Sequence, residues 1–249
     1  MDNSAPFESF PSPREQAERL IERGVPAILA QTPEQIRNAA DELQACTPGE
    51  LLLVPTSIPC GYSSLMPLVR YGGKEGFVVE DFSDAADFVA VSGESSEPIE
   101  LPGGGWYALV KPQRGDEFSN ASPAEALDVI SQSGDVALTI AEGIFWLLQC
   151  PDVLERNHCF MTIGSRKPKP MSKTGFDSRT PALWISNGTG RDGAENKNAP
   201  KLGWCWWNNR HTWLGIAHAS GRVAPEVEEA RIVVPQDDLL AAVQSRIGN

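Results

Sequence analysis

The chain has 249 residues, a formal net charge of −12 and a hydrophobic content of 41%. This length suits one large domain or two small ones, and no apolar run approaches the length needed to cross a bilayer. The acidic charge disfavours sequence-independent binding to nucleic acids, which requires a positive surface. We therefore expect a soluble globular protein, without a membrane-spanning segment and without nucleic acid as a general partner.

The N-terminal sequence and the cysteines indicate the compartment. The first ten residues, MDNSAPFESF, are acidic and contain no basic segment, which is unlike a secretory signal. The five cysteines are an odd number, and they form neither a CxxC motif nor a zinc-ligand spacing. We expect reduced thiols in the cytoplasm and predict neither a metal nor a cofactor.

Four capping boxes predict the starts of four helices. In each box a hydroxyl residue at the N-cap is followed three positions later by Glu or Gln, so that each side chain bonds the other's backbone N–H. The N-cap residues are Ser12, Thr32, Ser122 and Thr139. The last two boxes predict helices over 123–132 and 140–149, and Gly24 and Gly134 stand where two of the four helices should end.

Short apolar runs between these helices predict strands at 51–54, 77–79, 88–91 and 107–110. Residues 1–115 therefore form a mixed α/β region. Residues 116–249 hold two connecting helices and a C-terminal sheet, and the two regions can make one continuous domain. The predicted fold class is α+β.

Four further strands are predicted at 159–165, 182–186, 202–207 and 212–218, with no helical period between them. Their succession favours an antiparallel meander, and Asn208-Asn209 suits a tight turn between the last two strands. A last strand at 232–234 and a short helix at 237–246 complete the prediction.

The predicted hairpin determines which tryptophans pair. Its cross-strand pairs are Trp207 with Arg210, Trp206 with His211, and Trp204 with Trp213. Aromatic pairs of this kind bury well without a ligand, so we expect Trp204 and Trp213 in the core.

The loop 188–193, GTGRDG, matches G-x-G-x-x-G letter for letter, but Pro200 leaves no room for the crossover helix of a dinucleotide-binding fold. A plain surface loop is expected. The alternative is a glycine nest whose amides hold a phosphate or carboxylate. The oxygen-bearing side chains of this loop could ligate a hard cation, but Arg191 and Lys197 would repel it, so solvated loop residues are expected. They are Asp192, Glu195, Asn196 and Asn198.

In a meander, alternate loops lie at alternate ends of the sheet. The basic loop 166–179 should then share an end with the Asn208-Asn209 turn, and the glycine loop should share the other end with His158 and His218. This placement predicts a site for an anionic small molecule, with charge-assisted hydrogen bonds and one stacking ring. Its candidate residues are Ser165, Arg166, Lys167, Trp207, Arg210 and His211. An inert, solvated basic loop is the alternative.

Two other functions stay open. Cys159 or Cys205 could act as a nucleophile with His158 or His211, although buried cysteines are usually inert. Exposed tryptophans could instead anchor a protein partner in an interaction module.

Four long segments carry a resemblance over most of the chain. They are RGDEFSNASPAEAL, TIAEGIFWLLQCP, NHCFMTIGSR and TPALWISNGTGRDGAENKNAPKLGWCWWNNRHTWLG. They resemble a family of uncharacterised actinobacterial proteins of unknown function. The resemblance implies a bacterial, cytosolic protein built as one continuous unit, and it implies no activity, cofactor or catalytic residue.

Overall fold

The structure, a computed structural model, describes residues 10–79, 85–93, 97–169 and 175–225. The α-helices in these residues are α1 (Pro13–Glu22), α2 (Val25–Leu29), α3 (Pro33–Cys46), α4 (Tyr62–Leu65), α5 (Pro123–Gln132) and α6 (Ile140–Gln149). Short 3₁₀ helices occur at Met66–Leu68, Ala85–Asp87, Asp116–Phe118, Pro151–Val153, Gly190–Asp192 and Ala194–Asn196. None of the helices in the described residues is long and apolar enough to cross a membrane.

The strands in these residues are short. They are β1 (Leu51–Pro55), β2 (Arg70–Tyr71), β3 (Lys74–Glu75), β4 (Phe77–Val78), β5 (Val89–Ser92), β6 (Glu97–Pro98), β7 (Trp106–Val110), β8 (Val136–Ala137), β9 (Cys159–Met161), β10 (Ser165–Arg166), β11 (Arg179–Ile185), β12 (Pro200–Trp206), β13 (Leu214–Ile216), β14 (His218–Ala219) and β15 (Gly221–Val223). Together with the helices they confirm the α+β fold class. The strand and helix predicted at 232–234 and 237–246 lie outside the described residues.

All four predicted capping boxes are present, at the starts of α1, α3, α5 and α6. At α6, the Thr139 N–H donates to the Glu142 carboxylate at 2.6 Å, and the Thr139 hydroxyl accepts from the Glu142 N–H. Gly24 and Gly134 follow α1 and α5 with φ of +83° and +81°, the left-handed conformation that favours glycine. The helix predictions are therefore confirmed at both kinds of terminus.

A three-stranded antiparallel sheet in the order β1–β7–β15 forms the first layer. Its outer strand β15 comes from residues 221–223, so the end of the described chain completes a sheet begun by residues 51–55. The α1 and α6 helices contact β1, and one hydrophobic core extends from Ala17 to Ala219 in the sequence.

A buried ion pair joins this sheet to α6. The Arg222 guanidinium donates to both oxygens of the fully buried Glu142 carboxylate, at 2.6 and 2.9 Å. The Tyr107 hydroxyl donates to the same carboxylate at 2.9 Å. Because every partner of this buried carboxylate is in place, its charge is compensated, as a buried charge requires.

The second layer is a five-stranded sheet in the order β13–β9–β11–β12–β4. The β9, β11 and β12 strands pair antiparallel as predicted, and β11 and β12 pair over their whole length, from Arg179 opposite Trp206 to Ile185 opposite Pro200. The last predicted pairing is wrong. The β13 strand lies at the opposite edge of the sheet, parallel to β9, and does not form a hairpin with β12.

Contacts distant in sequence explain this difference. The Asn209 N–H donates to the Trp206 C=O in a turn, but the chain then continues across the sheet, where the Asn120 N–H donates to the His211 C=O. The Ile216 N–H next donates to the Gly115 C=O at 3.0 Å, and a Cβ on Gly115 would lie 1.8 Å from the Ile216 oxygen. The β13 strand is therefore held between β9 and the segment around Gly115.

Candidate functional site

Arg166 and Trp207, two residues of the predicted anion site, lie together at the basic-loop end of the sheet. The Arg166 guanidinium carbon is 3.6 Å from the centroid of the Trp207 ring and 5.2 Å from that of Phe176. One guanidinium nitrogen donates to the Asp177 C=O at 3.1 Å. Arg166 is buried, and burial lowers its pKa to about 10. The cation is thus enclosed by aromatic rings of the protein itself.

The other predicted anion-site residues have partners on separate elements. The Ser165 hydroxyl accepts from the Ile140 N–H at 3.0 Å, and the Lys167 ammonium lies 3.4 Å from the Asp87 carboxylate. The other two candidates, Arg210 and His211, lie further along the chain. Arg210 pairs with Glu125, and the His211 ring lies 4.6 Å from the Trp213 ring. Each of these four residues thus has a contact of its own within the protein.

The cysteine and histidine candidates do not form a dyad. The Arg114 guanidinium lies 2.9 Å from His158 Nδ1, and Nε2 of the same ring lies 3.6 Å from the Asp116 carboxylate. Burial raises the pKa of the Cys159 and Cys205 thiols. Within the described residues, no hydrogen bond joins either thiol to a histidine.

The opposite end of the sheet has an open cleft of about 410 Å³, which we call the tryptophan cleft. It is lined by Asn157, His158, Cys159, Ala182, Trp184, Ile185, Asn187, Trp204, Cys205 and Trp213. Of the described residues that line it, none is Asp, Glu, Lys or Arg. Its walls therefore combine indole rings with two carboxamides.

The pairing of β11 with β12 positions Trp184 in this cleft. Trp184 lies opposite Lys201, and Ala182 lies opposite Gly203, so these four residues share one face of the sheet. A Cβ at Gly203 would lie 2.5 Å from the edge of the Trp184 ring. Glycine at this position therefore lets the indole lie across the neighbouring strand.

The parallel addition of β13 brings Trp213 to the same cleft. Trp213 immediately precedes β13, and its C=O accepts from the Cys159 N–H at 3.2 Å. Its side chain is 45% exposed, and Trp204 is half-buried. The prediction that these two residues form a buried pair is wrong, because β13 pairs with β9 at the other edge.

A second cleft of about 330 Å³ adjoins the first, and we call it the charged cleft. It shares Trp184, Asn187 and Trp204 with the tryptophan cleft. The rest of its lining is Val79, Thr189, Arg191, Asp192 and Lys201. The two clefts are therefore neighbours, with these three residues in the lining of both.

A buried polar chain forms one wall of the charged cleft. The Lys201 ammonium pairs with the Asp192 carboxylate, whose second oxygen accepts from the Ser186 hydroxyl at 2.7 Å. The Ser186 hydroxyl in turn accepts from the Gly188 N–H at 3.0 Å. Asp192 is buried, so the prediction of a solvated loop side chain is wrong at this position. Two short 3₁₀ helices fold the loop back over the sheet and create this burial.

Three cations contact the indoles shared by the clefts. The first is Arg179, whose guanidinium carbon lies 5.9 Å from the centroid of Trp204, and the other two line the charged cleft. The Lys201 ammonium lies 4.3 Å from the centroid of Trp184, and the Arg191 guanidinium carbon lies 5.8 Å from that of Trp204. Both distances are within the range of a cation–π interaction. The charged cleft thus carries two cationic side chains and one carboxylate.

A comparison with known protein families identifies the family of this chain. The model of a family of unknown function, DUF5701, matches residues 19–225. The chain belongs to this family. The matched range contains every residue that lines the two clefts, and it confirms that the chain resembles a family of unknown function. No curated protein and no solved structure matches the chain.

The sequence patterns did not predict four residues of the clefts, which are Trp184, Asn157, Asn187 and Lys201. The signal that could have found Trp184 and Lys201 is the pairing register of β11 and β12, which places them on one face beside the small residue Gly203. His218 was also predicted to lie at the glycine-loop end of the sheet. Since β13 runs parallel to β9, His218 instead lies near the end of the sheet where Ser165 begins β10, which corrects the prediction.

Proposed function

We propose that this protein binds a small molecule with a flat ring in the tryptophan cleft. The observation that carries the proposal is the open cleft in which Trp184, Trp204 and Trp213 stand beside Asn157 and Asn187. Its volume of about 410 Å³ falls within the usual range for small-molecule sites.

The side chains of this cleft suit a ring with polar substituents. Indole rings offer a large, rigid apolar surface, and only two torsions must be fixed when they contact a ligand. Each carboxamide provides both a donor and an acceptor. A flat ring between the indoles, with its polar edge toward Asn157 or Asn187, would use both features.

The proposed site lies beside the glycine loop, whereas the sequence predicted a ligand site at the basic-loop end of the sheet. At the basic-loop end, Arg166 lies against Trp207 and Arg210 pairs with Glu125. An anion at this end would have to compete with these contacts of the two cations. The Cys159 and Cys205 thiols form an apolar part of the lining of the proposed site, because burial favours their neutral form.

A panel of ring compounds tests the proposal. The compounds are benzamide, nicotinamide and indole-3-acetamide, each with its corresponding acid, measured by saturation-transfer NMR and by thermal shift. We expect at least one to bind with a dissociation constant on the order of 1 mM, as suits ligands of this size. No binding by any member would overturn the proposal.

Two exposed tryptophans provide matched variants. Trp206 and Trp213 are both 45% exposed, but only Trp213 lines the cleft. Loss of one stacking contact is worth about 0.5–1.5 kcal/mol, so Trp213→Ala should weaken binding about three- to tenfold. Trp206→Ala removes a ring that packs against Trp204 at 4.8 Å without lining the cleft, so it should weaken binding less than Trp213→Ala. Equal weakening by both variants would contradict a site in the tryptophan cleft.

A further inference from the structure

We infer that this protein has a second ligand site, which takes a small uncharged molecule with an apolar body and one carbonyl oxygen. The site is a cleft of about 270 Å³ where the end of β1 meets β5, β10 and the start of α6, and we call it the hydroxyl cleft. The hydroxyl residues in its lining are Thr56, Ser57, Tyr62, Thr139 and Ser165. It shares no lining residue with the tryptophan cleft or the charged cleft, so the inference is independent of the proposed function.

The rest of the lining of the hydroxyl cleft is apolar. It includes Pro55, Ile58, Val89, Ala90 and Leu101, and none of the described residues that line it is Asp, Glu, Lys, Arg or His. An ionised ligand group would lose its hydration here without an opposite charge in the lining, which costs far more than burial of a neutral polar group. The volume lies just below the usual range for drug-sized ligands. The cleft therefore favours a small uncharged ligand.

Two buried hydroxyls provide hydrogen-bond donors for this ligand. Ser165 and Thr139 are only 3% and 4% exposed. The Ser165 oxygen accepts from the Ile140 N–H at 3.0 Å, and the Thr139 oxygen accepts from the Glu142 N–H at 3.3 Å. Each hydroxyl keeps its proton as a donor, and among the described residues no hydrogen bond uses either proton. Because buried donors are nearly always hydrogen-bonded, the pair suits an acceptor oxygen of a ligand in the cleft.

The start of α6 favours a neutral acceptor over an anion. An anion at a helix N-terminus is bound by the first backbone N–H groups, but those of Ile140 and Glu142 already donate to the two hydroxyls. The Glu142 carboxylate, which accepts from the Thr139 N–H, also lies at this end of the helix. A ligand anion would approach this like charge, whereas a carbonyl oxygen needs only the hydroxyl protons and is still favoured by the helix dipole.

The test compares three probes built on one aliphatic ring, which are cyclopentanone, cyclopentylamine and cyclopentanecarboxylate. Each is titrated into the ¹³C-labelled full chain, and the methyl signals of Ala90 and Ala141 report on the hydroxyl cleft. We expect cyclopentanone to bind with a dissociation constant on the order of 10 mM, as suits a ligand of this size, and both ions to bind at least about tenfold more weakly. Tighter binding of either ion, or no shift of these methyl signals with cyclopentanone, would overturn the inference.

Two alanines provide matched variants that leave the hydroxyls in place. Ala141 and Ala124 are the second residues of the capped helices α6 and α5, and both are half-buried, but only Ala141 lines the hydroxyl cleft. Ala141→Leu fills the cleft and should weaken binding of cyclopentanone at least about tenfold, whereas Ala124→Leu should keep the wild-type affinity. Equal affinities of the two variants would contradict a site in this cleft.

Ser165→Ala tests the donor itself. Loss of one neutral hydrogen bond should weaken binding of cyclopentanone about two- to tenfold in protein that keeps a cooperative thermal transition. Wild-type affinity in Ser165→Ala would overturn the role of the hydroxyls. Failure of every flat-ring compound to bind in the tryptophan cleft would overturn the proposed function and leave this inference standing.

Discussion

The two ends of the C-terminal sheet use aromatic and basic side chains in opposite ways. At the basic-loop end, the Arg166 guanidinium packs against the Trp207 and Phe176 rings inside the protein. In the clefts, which extend from the glycine loop along the sheet, Trp184 and Trp204 contact cations beside open volume. The same residue types thus build internal packing at one end and a candidate binding site at the other. The difference lies in the open volume, which a count of basic residues does not show.

Removing the cation at the basic-loop end should have the largest effect on stability. Arg166→Ala loses a buried cation–π contact, worth about 2 kcal/mol when desolvated, together with the packing of its alkyl chain. We expect the free energy of unfolding to fall by about 2–3 kcal/mol in urea denaturation, with unchanged affinity for the ring compounds.

Lys167→Ala provides the control for this variant, because its pair with Asp87 is partly exposed and such pairs contribute about 1 kcal/mol or less. Loss of ring binding in Arg166→Ala without a loss of stability would mean that the basic-loop end binds the ligand, which contradicts this account.

A smaller effect is expected from filling the space beside Trp184. A Cβ at residue 203 would lie 2.5 Å from the Trp184 ring edge, so Gly203→Ala should displace the indole. Overpacking of this kind costs about 1–3 kcal/mol, and binding should weaken together with stability. Gly103→Ala, where an added Cβ meets nothing within 4 Å, should change neither quantity. Wild-type affinity in Gly203→Ala would mean that the position of Trp184 is irrelevant to binding.

The smallest effect concerns the cleft thiols. Because burial raises the pKa of the Cys159 and Cys205 thiols, both should stay protonated near pH 7 and react slowly with iodoacetamide. Cys46, which is exposed, serves as the internal reference in mass spectrometry of the native protein. We expect Cys46 to be labelled first and Cys159 only after unfolding. Labelling of Cys159 at the rate of Cys46 would restore the nucleophile hypothesis.

Local features were predictable from the sequence, and contacts distant in sequence were not. The capping boxes of α1, α3, α5 and α6 lie within four residues each, so their hydrogen bonds depend little on the rest of the fold. The antiparallel order of β9, β11 and β12 followed from their succession. The place of β13 was not predictable, because it depends on the backbone contact of Ile216 with Gly115, about a hundred residues earlier.

The residues of the candidate site were not predictable for the same reason, since they meet through contacts distant in sequence. Trp204 and Trp213 were paired on the assumption of a hairpin, and the actual pairing of β13 with β9 brings Trp213 to an open cleft. The burial of Asp192 depends on its ion pair with Lys201, which follows only when the loop folds back on β12. Patterns of residue type placed the aromatic and basic side chains on the right strands, but tertiary packing decided which of them face a cavity.

The indole N–H resonances of the seven tryptophans test the central claim most directly. They are followed in ¹⁵N-labelled protein during titration with the acids and amides of the panel. We predict that the signals of Trp184, Trp204 and Trp213 move with a common dissociation constant while that of Trp207 stays in place. Movement of Trp207 without the three cleft signals, or no movement in any of them, would contradict a binding site at the glycine-loop end of the sheet.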